Sequence, residues 1–325
     1  MPDRVTLPDT LSDSEWLDRL DEIGTERGYF STLGKKHSAV FGDAGSRVLL
    51  VAFESLAQIR AGSPDGLPLG FEVAEPRGWS HLTLIARRET WFRSRHVWRF
   101  FDRQIDSGFF EEFDRVIFYG AGMSGYAAAA FSVACPGASV IAIAPQATLS
   151  PSRARWDERF TEHRACDFTT RYGYAPDMLD AADTAYIVYD PAEREDAMHA
   201  ALFGAPHVHH VLYRRGGAGA IDADLRAMGV LERVFEDAAS DGLVPISFHA
   251  ALRRRREHTP WLRAAMARVM AAERPYLTGL FARAAMRRQP VPRFAKVLET
   301  AEADLMREGR RLPAPPKPRV VASGS

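Results

Sequence analysis

The spacing of hydrophobic positions changes along the chain, and each change marks an element. Trp16, Leu17, Leu20 and Ile23 fall at helical spacing behind Ser12 and Ser14, either of which can cap a first turn, so residues 11–27 predict a helix. Residues 29–42 read as a hairpin, with Tyr-Phe-Ser-Thr-Leu and His-Ser-Ala-Val-Phe flanking a Gly-Lys-Lys turn. Six short apolar runs follow: Val48–Phe53, Leu82–Ala86, Val116–Tyr119, Val140–Ala144, Tyr186–Tyr189 and Val208–Tyr213. They are nearly continuous rather than alternating, the pattern of strands buried on both faces of a parallel sheet. The segments Ser94–Phe113, Gly125–Ala134 and Glu193–Phe203 are long enough for the crossovers that parallel strands require. From Ala218 the strand pattern stops. Helical spacing takes over at 219–240, 245–257, 260–287 and 293–309, punctuated by Pro260, Pro275, Pro290 and Pro292.

The segment Thr148–Asp183 is longer than a simple crossover and interleaves Trp156, Phe160, Phe168, Tyr172 and Tyr174 with arginines. It reads either as a lid over the strand ends or as a packed connection. The expected organisation is an N-terminal helical segment (1–28), an α/β domain with a mostly parallel doubly wound sheet (29–230, lid candidate 148–183), a helical extension (231–311) and a disordered tail (312–325).

Composition adds little until charge is divided along the chain. The 325 residues carry 42 Lys and Arg against 42 Asp and Glu, so nothing global draws a polyanion. From Leu231 onward, however, 18 basic residues face 10 acidic ones, a net +8 that leaves −8 for the rest. A basic helical face packing on an acidic body is the expectation, with a protein partner through the C-terminal helices as an alternative use; nucleic acid is not expected. Cys135 and Cys166 are too few for a disulfide framework or a four-cysteine zinc site. The start lacks the apolar core of a signal peptide, and no run nears the ~20 apolar residues of a membrane span. A cytoplasmic protein without membrane contact is expected, and no cofactor or metal is called for. His207, His209 and His210 cluster on one strand, which by itself is no metal site.

The chemistry concentrates at residues 115–130. An apolar strand runs into Gly120-Ala121-Gly122-Met123-Ser124-Gly125 and then into a small-residue helix, the outline of a nucleophile elbow. With Tyr119-Gly120-Ala121-Gly122-Met123-Ser124-Gly125-Tyr126-Ala127 set against a Tyr-Gly-x-Ser-Met-Gly-Gly-Tyr-Ala turn, the chain resembles bacterial members of the α/β-hydrolase superfamily over residues 30–230. The resemblance implies an α/β-hydrolase-type sheet, a nucleophile, then an acid, then a histidine. Gly122 stands at the nucleophile position, Asp190 at the acid position, and Arg214–Gly219, where the histidine belongs, contains none. Joint loss of nucleophile and proton shuttle argues against acyl-enzyme chemistry.

A non-catalytic or altered protein that binds a small anionic ligand is therefore expected. The resemblance places its candidate ligand groups at Gly122 and Met123 of the elbow, at Phe53, Glu54 and Ser55 where the second oxyanion donor arises, and at Arg214 and Arg215 in place of the histidine. One alternative is a serine hydrolase using Ser124 and Asp190. Another is an interaction protein working through its C-terminal helices. The chain also resembles alphaproteobacterial proteins labelled phosphoadenosine phosphosulfate reductase. That resemblance implies a Ser-Gly-Gly-Lys-Asp-Ser-type phosphate loop and a C-terminal Glu-Cys-Gly-x-x-His cysteine, and the sequence contains neither.

Overall fold

A computed structural model describes residues 5–216, 219, 221–240 and 242–314. Eight strands form one sheet in the order β1-β2-β4-β3-β5-β6-β7-β8. They are β1 (Gly28–Leu33), β2 (His37–Gly42), β3 (Val48–Ser55), β4 (Ser80–Ala86), β5 (Arg115–Ala121), β6 (Ser139–Ile143), β7 (Thr184–Tyr189) and β8 (Val208–Leu212). The hairpin β1–β2 joins antiparallel to β4, and β4, β3 and β5 to β8 are parallel. The sequence expectation of a mostly parallel, doubly wound sheet of α/β-hydrolase type with an N-terminal hairpin is met. The six apolar runs are its six parallel strands.

Helices cover both faces, which is why the central strands need no polar alternation. Helix α1 (Asp13–Arg27) starts at Ser12, whose capping box with Glu15 satisfies exposed first-turn donors. Its Trp16, Leu17 and Leu20 bury with Leu56 and Ile59 of α2 (Leu56–Gly62) against Val40 and Ile85 of the sheet. On the opposite face α3 (Arg95–Asp106) and α4 (Met123–Phe131) pack on Val51, Phe53, Phe118 and Val140. The 148–183 segment holds two single α-helical turns, α5 (Pro151–Ala154) and α6 (Ala175–Met178), and two 3-10 turns, Thr161–His163 and Leu179–Ala181. It is fastened rather than loose. Phe168, Tyr172 and Leu179 enter the main core, and Tyr126 donates to the carbonyls of Tyr172 and Gly173 at 3.0 and 2.7 Å.

After α7 (Arg194–Ala200) and β8 come α8 (Ile221–Ala227), α9 (Val230–Ala239) and α10 (Pro245–Ala251). The predicted helix 219–240 is split by Gly229, which adopts a left-handed φ of 61° between α8 and α9. Phe235 of α9 meets the Tyr119 ring edge-on at 5.1 Å, and Phe248 of α10 stacks on Tyr186 at 5.5 Å. These contacts correct the expected boundary at 231. The first compact unit runs through Arg253 and the second from Arg254. The second unit is helical: α11 (Thr259–Ala271), α12 (Pro275–Met286) and α13 (Pro292–Arg307), with Pro275 starting α12 and so dividing the predicted helix 260–287. The tail predicted at 312–325 lies outside the described residues from 315 on. Among the described residues, no helix is long and apolar enough to cross a membrane.

Candidate functional site at the strand ends

The elbow has the expected shape. Strand β5 ends at Ala121, Gly122 takes φ 58° and ψ −122°, and α4 begins at Met123. The turn is tight because helix and strand cross closely. A Cβ on Gly120 would lie 2.1 Å from the Ser124 carbonyl oxygen, and one on Gly125 3.1 Å from the carbonyl oxygens of Gly120 and Ile143. Gly122 differs. A Cβ there meets nothing within 4 Å, so space does not require glycine at the apex; only the backbone angle favours it. Ser124 lies in the first turn of α4, 1% exposed, and its hydroxyl has no partner among the described residues. The Met123 sulfur lies 3.0 Å from the Thr90 amide, which donates to it.

Asp190 follows β7, buried, where the acid is expected. One carboxylate oxygen accepts from the Ala192 amide and the other from the Gly216 amide, each at 3.0 Å. Gly216 belongs to the loop after β8, so a backbone N–H from that loop meets the acid in the region where a histidine would. A Cβ on Gly216 would fall 2.3 Å from the Tyr213 ring, which fixes the loop's path. The Tyr213 hydroxyl in turn donates to Asp224 at 2.8 Å. Arg214 and Arg215 are exposed, Arg215 at φ 67°. Gly217 and Ala218 lie outside the described residues.

The third expected group is not arranged as a loop. Strand β3 runs through Ser55, and α2 starts at the next residue, leaving no intervening turn. Phe53 is core, stacked on Phe131 at 5.7 Å and meeting Phe92 edge-on at 5.1 Å. Ser55 caps α2 with Gln58. Glu54 is buried and accepts from the Leu69 amide at 2.8 Å and from Arg226 at 3.3 Å. Arg226 also pairs with Asp222, which takes the Tyr119 hydroxyl proton bond. Burial pushes the Glu54 carboxyl upward despite Arg226, and burial pushes the Tyr119 phenol upward as well. The proposed ligand groups Phe53, Glu54 and Ser55 are thus a core ring, a buried ion-pair partner and a helix cap.

The histidines divide similarly. His207 and His210 bond separately to the carbonyls of Leu179 and Phe203, at 2.8 and 2.9 Å, and His209 packs on Tyr186. His199, unremarkable in the sequence, is fully buried. Its Nδ1 accepts from the Ala147 amide at 3.2 Å, which assigns the proton to Nε2, donating to Asp157 at 2.8 Å. Asp157 also holds Arg159, which reaches Asp196 at 2.7 Å. Burial works against the Asp157 charge, but His199 and Arg159 hold its carboxyl well below the ordinary range. This buried cluster ties the 148–183 segment to α7. Among the described residues Glu89, Glu162 and His163 come within 4.8 Å of one another, with both acids exposed, and nothing else there points to an ion. A cavity at the β2–β4 end, lined by Lys35, Lys36 and Arg88, was not singled out by motif. The only sequence signal for it is the Gly-Lys-Lys turn.

No protein-family model matches the chain, and no curated protein does. Solved structures resemble it at low identity. A chain of the Glycosylation Associate Protein (Gap123) complex from Streptococcus agalactiae is 14% identical, with TM-score 0.43, over 63% of this chain and 45% of that one. Carboxyl esterase 2 from the mycorrhizal fungus Tuber melanosporum is 10% identical, with TM-score 0.41, over 66% and 84%. The carboxylesterase EstE1 from a metagenomic library is 13% identical, with TM-score 0.39, over 74% and 100%. This chain spans less than half of the Gap123 chain it matches. Such likenesses transfer no activity. The fold assignment stands on the strand order, the elbow after β5 and the acid after β7.

Proposed function

We propose that this chain is a binding protein on an α/β-hydrolase-type scaffold, holding a small anionic ligand at the C-terminal edge of its sheet without forming an acyl-enzyme. One observation carries the reading: the elbow's apex is Gly122, at φ 58° and ψ −122°, where a side chain would face open space and none exists. Acyl transfer needs a nucleophile and a base within hydrogen-bond reach of each other. The burial of Ser124 weighs against its use as nucleophile, and the two backbone bonds to Asp190 weigh against its orienting a base. The reductase alternative needs an activated thiolate. Burial instead pushes Cys135 up to about 11 and raises Cys166 as well.

A fluorophosphonate probe tests the reading directly. The folded protein should remain unlabelled, and short-chain nitrophenyl esters should hydrolyse at the buffer rate. Labelling that vanishes in Ser124→Ala would overturn it.

A further inference from the structure

The same sheet edge holds a second concavity, on the β2–β4 side of the elbow. The antiparallel pairing of His37 with Ala86 sets the Gly34–Lys36 turn beside Arg87 and Arg88, which follow β4. The start of α3 and His163 complete a cavity of about 760 Å³. Small-molecule sites typically span about 300–1,000 Å³.

Its lining is cationic. Lys35, Lys36 and Arg88 are exposed, and none has an acidic partner among the described residues. Arg93 is committed elsewhere, donating to the carbonyls of Tyr172 and Arg171 at 2.6 and 2.9 Å. The one lining carboxylate, Glu89, lies 3.2 Å from His163. The field reaches a buried group. Burial first, then the charges of Lys36, His96 and Arg87, push the His37 imidazole down to about 4.

His37 is the second, independent observation. It lines the cavity, is fully buried, and bonds Thr90 Oγ1 through Nε2 at 2.7 Å, while its Nδ1 has no partner among the described residues. Thr90 Oγ1 accepts from the Phe92 amide at 3.2 Å and, as a hydroxyl, can still either accept from or donate to Nε2, so Nδ1 is a buried atom without a partner among the described residues whichever tautomer holds.

We propose that this cavity binds a small molecule carrying more than one phosphate-type anionic group, held by Lys35, Lys36 and Arg88, with His37 in the buried wall behind them. Three unpaired cations exceed what a single carboxylate neutralises, and lysine and arginine are the side chains that meet phosphate oxygens as point charge and fork. The proposal deepens the binding reading above and rests on it, but through side chains other than Arg214 and Arg215.

Calorimetric titration of the full chain with pyrophosphate, and in parallel with citrate, tests it. Saturable one-to-one pyrophosphate binding is expected, at least tenfold tighter than citrate. It should weaken tenfold or more in the double variant Lys35→Ala/Lys36→Ala and threefold or more in Arg88→Ala. Arg214→Ala/Arg215→Ala should change it less than twofold. Absence of saturable pyrophosphate binding overturns the proposal, as does equal binding by the lysine variant or equal affinity for citrate. Loss of binding only in the Arg214/Arg215 variant would move the ligand to the loop after β8, overturning this site while sparing the binding reading. Fluorophosphonate labelling lost in Ser124→Ala, with pyrophosphate binding intact, would do the reverse.

Discussion

Two stretches of one sheet edge carry polar groups in opposite conditions. Along β3, β5, β7 and β8, where catalytic machinery is expected, the buried carboxylates Glu54, Asp157 and Asp190 and the buried His199 all have partners, while Arg214 and Arg215 lie exposed. Asp190 accepts two backbone amides, Glu54 pairs with Arg226, and His199 pairs with Asp157. At the β2–β4 end the cations lack partners and the His37 imidazole keeps an idle nitrogen. A satisfied buried polar group is architecture, whereas exposed cations without acidic partners are open to an anion. The position that a fold usually reserves for chemistry does not say where the unsatisfied groups are.

Substitutions should therefore unfold the first stretch and leave the second standing. The largest effect is expected from Asp157→Ala, which strands buried His199 and half-buried Arg159 and should cost about 3–5 kcal/mol in urea unfolding. Acid works in the same direction. Because the Asp157 carboxyl is depressed in the folded chain, its contribution is complete above the unfolded carboxylate pKa and is lost as pH falls below ~4. Next is Gly120→Ala, whose methyl would press on the Ser124 carbonyl, at about 3 kcal/mol. Gly122→Ala meets no atom and carries only the backbone strain, about 1–2 kcal/mol. Equal costs at 120 and 122 would mean that the elbow's crossing is not where the glycines matter.

His37 gives an effect of similar size by another route. Its folded pKa, about 4, lies below the unfolded ~6.5, so between those values the unfolded chain binds more protons. Stability falls as pH drops from ~6.5 to ~4, by roughly 2 kcal/mol, and this part of the slope should be missing in His37→Gln. The smallest effect belongs to Lys35→Ala and Lys36→Ala, which should move stability by no more than ~0.5 kcal/mol while weakening pyrophosphate binding. A large stability loss there would mean that these lysines belong to the architecture after all.

What the sequence made legible follows from how each feature is encoded. The central strands were readable because burial on both faces writes itself as uninterrupted apolar residues, and the elbow because its close crossing leaves no room for a Cβ at Gly120 and little at Gly125. The end of β3 was not, since Glu54 reads as a loop residue until Arg226, 172 positions away, is found beside it. The boundary at 231 failed because Phe235 and Phe248 of helices predicted outside the domain cover Tyr119 and Tyr186. Asp190's partner was invisible for a different reason. It is a main-chain amide, which every residue but proline possesses. The basic cavity gathers a turn, a strand end and a helix start that only the β2–β4 register joins.

The bond from the Gly216 amide to Asp190 also bears on engineering. A serine placed at 122 would find an acid whose two carboxylate oxygens already accept main-chain amides. A histidine at 216 would drive its Cβ into the Tyr213 ring, and one elsewhere in the loop would have to displace the amide that anchors it. One main-chain hydrogen bond thus works as a latch that holds the loop after β8 against Asp190.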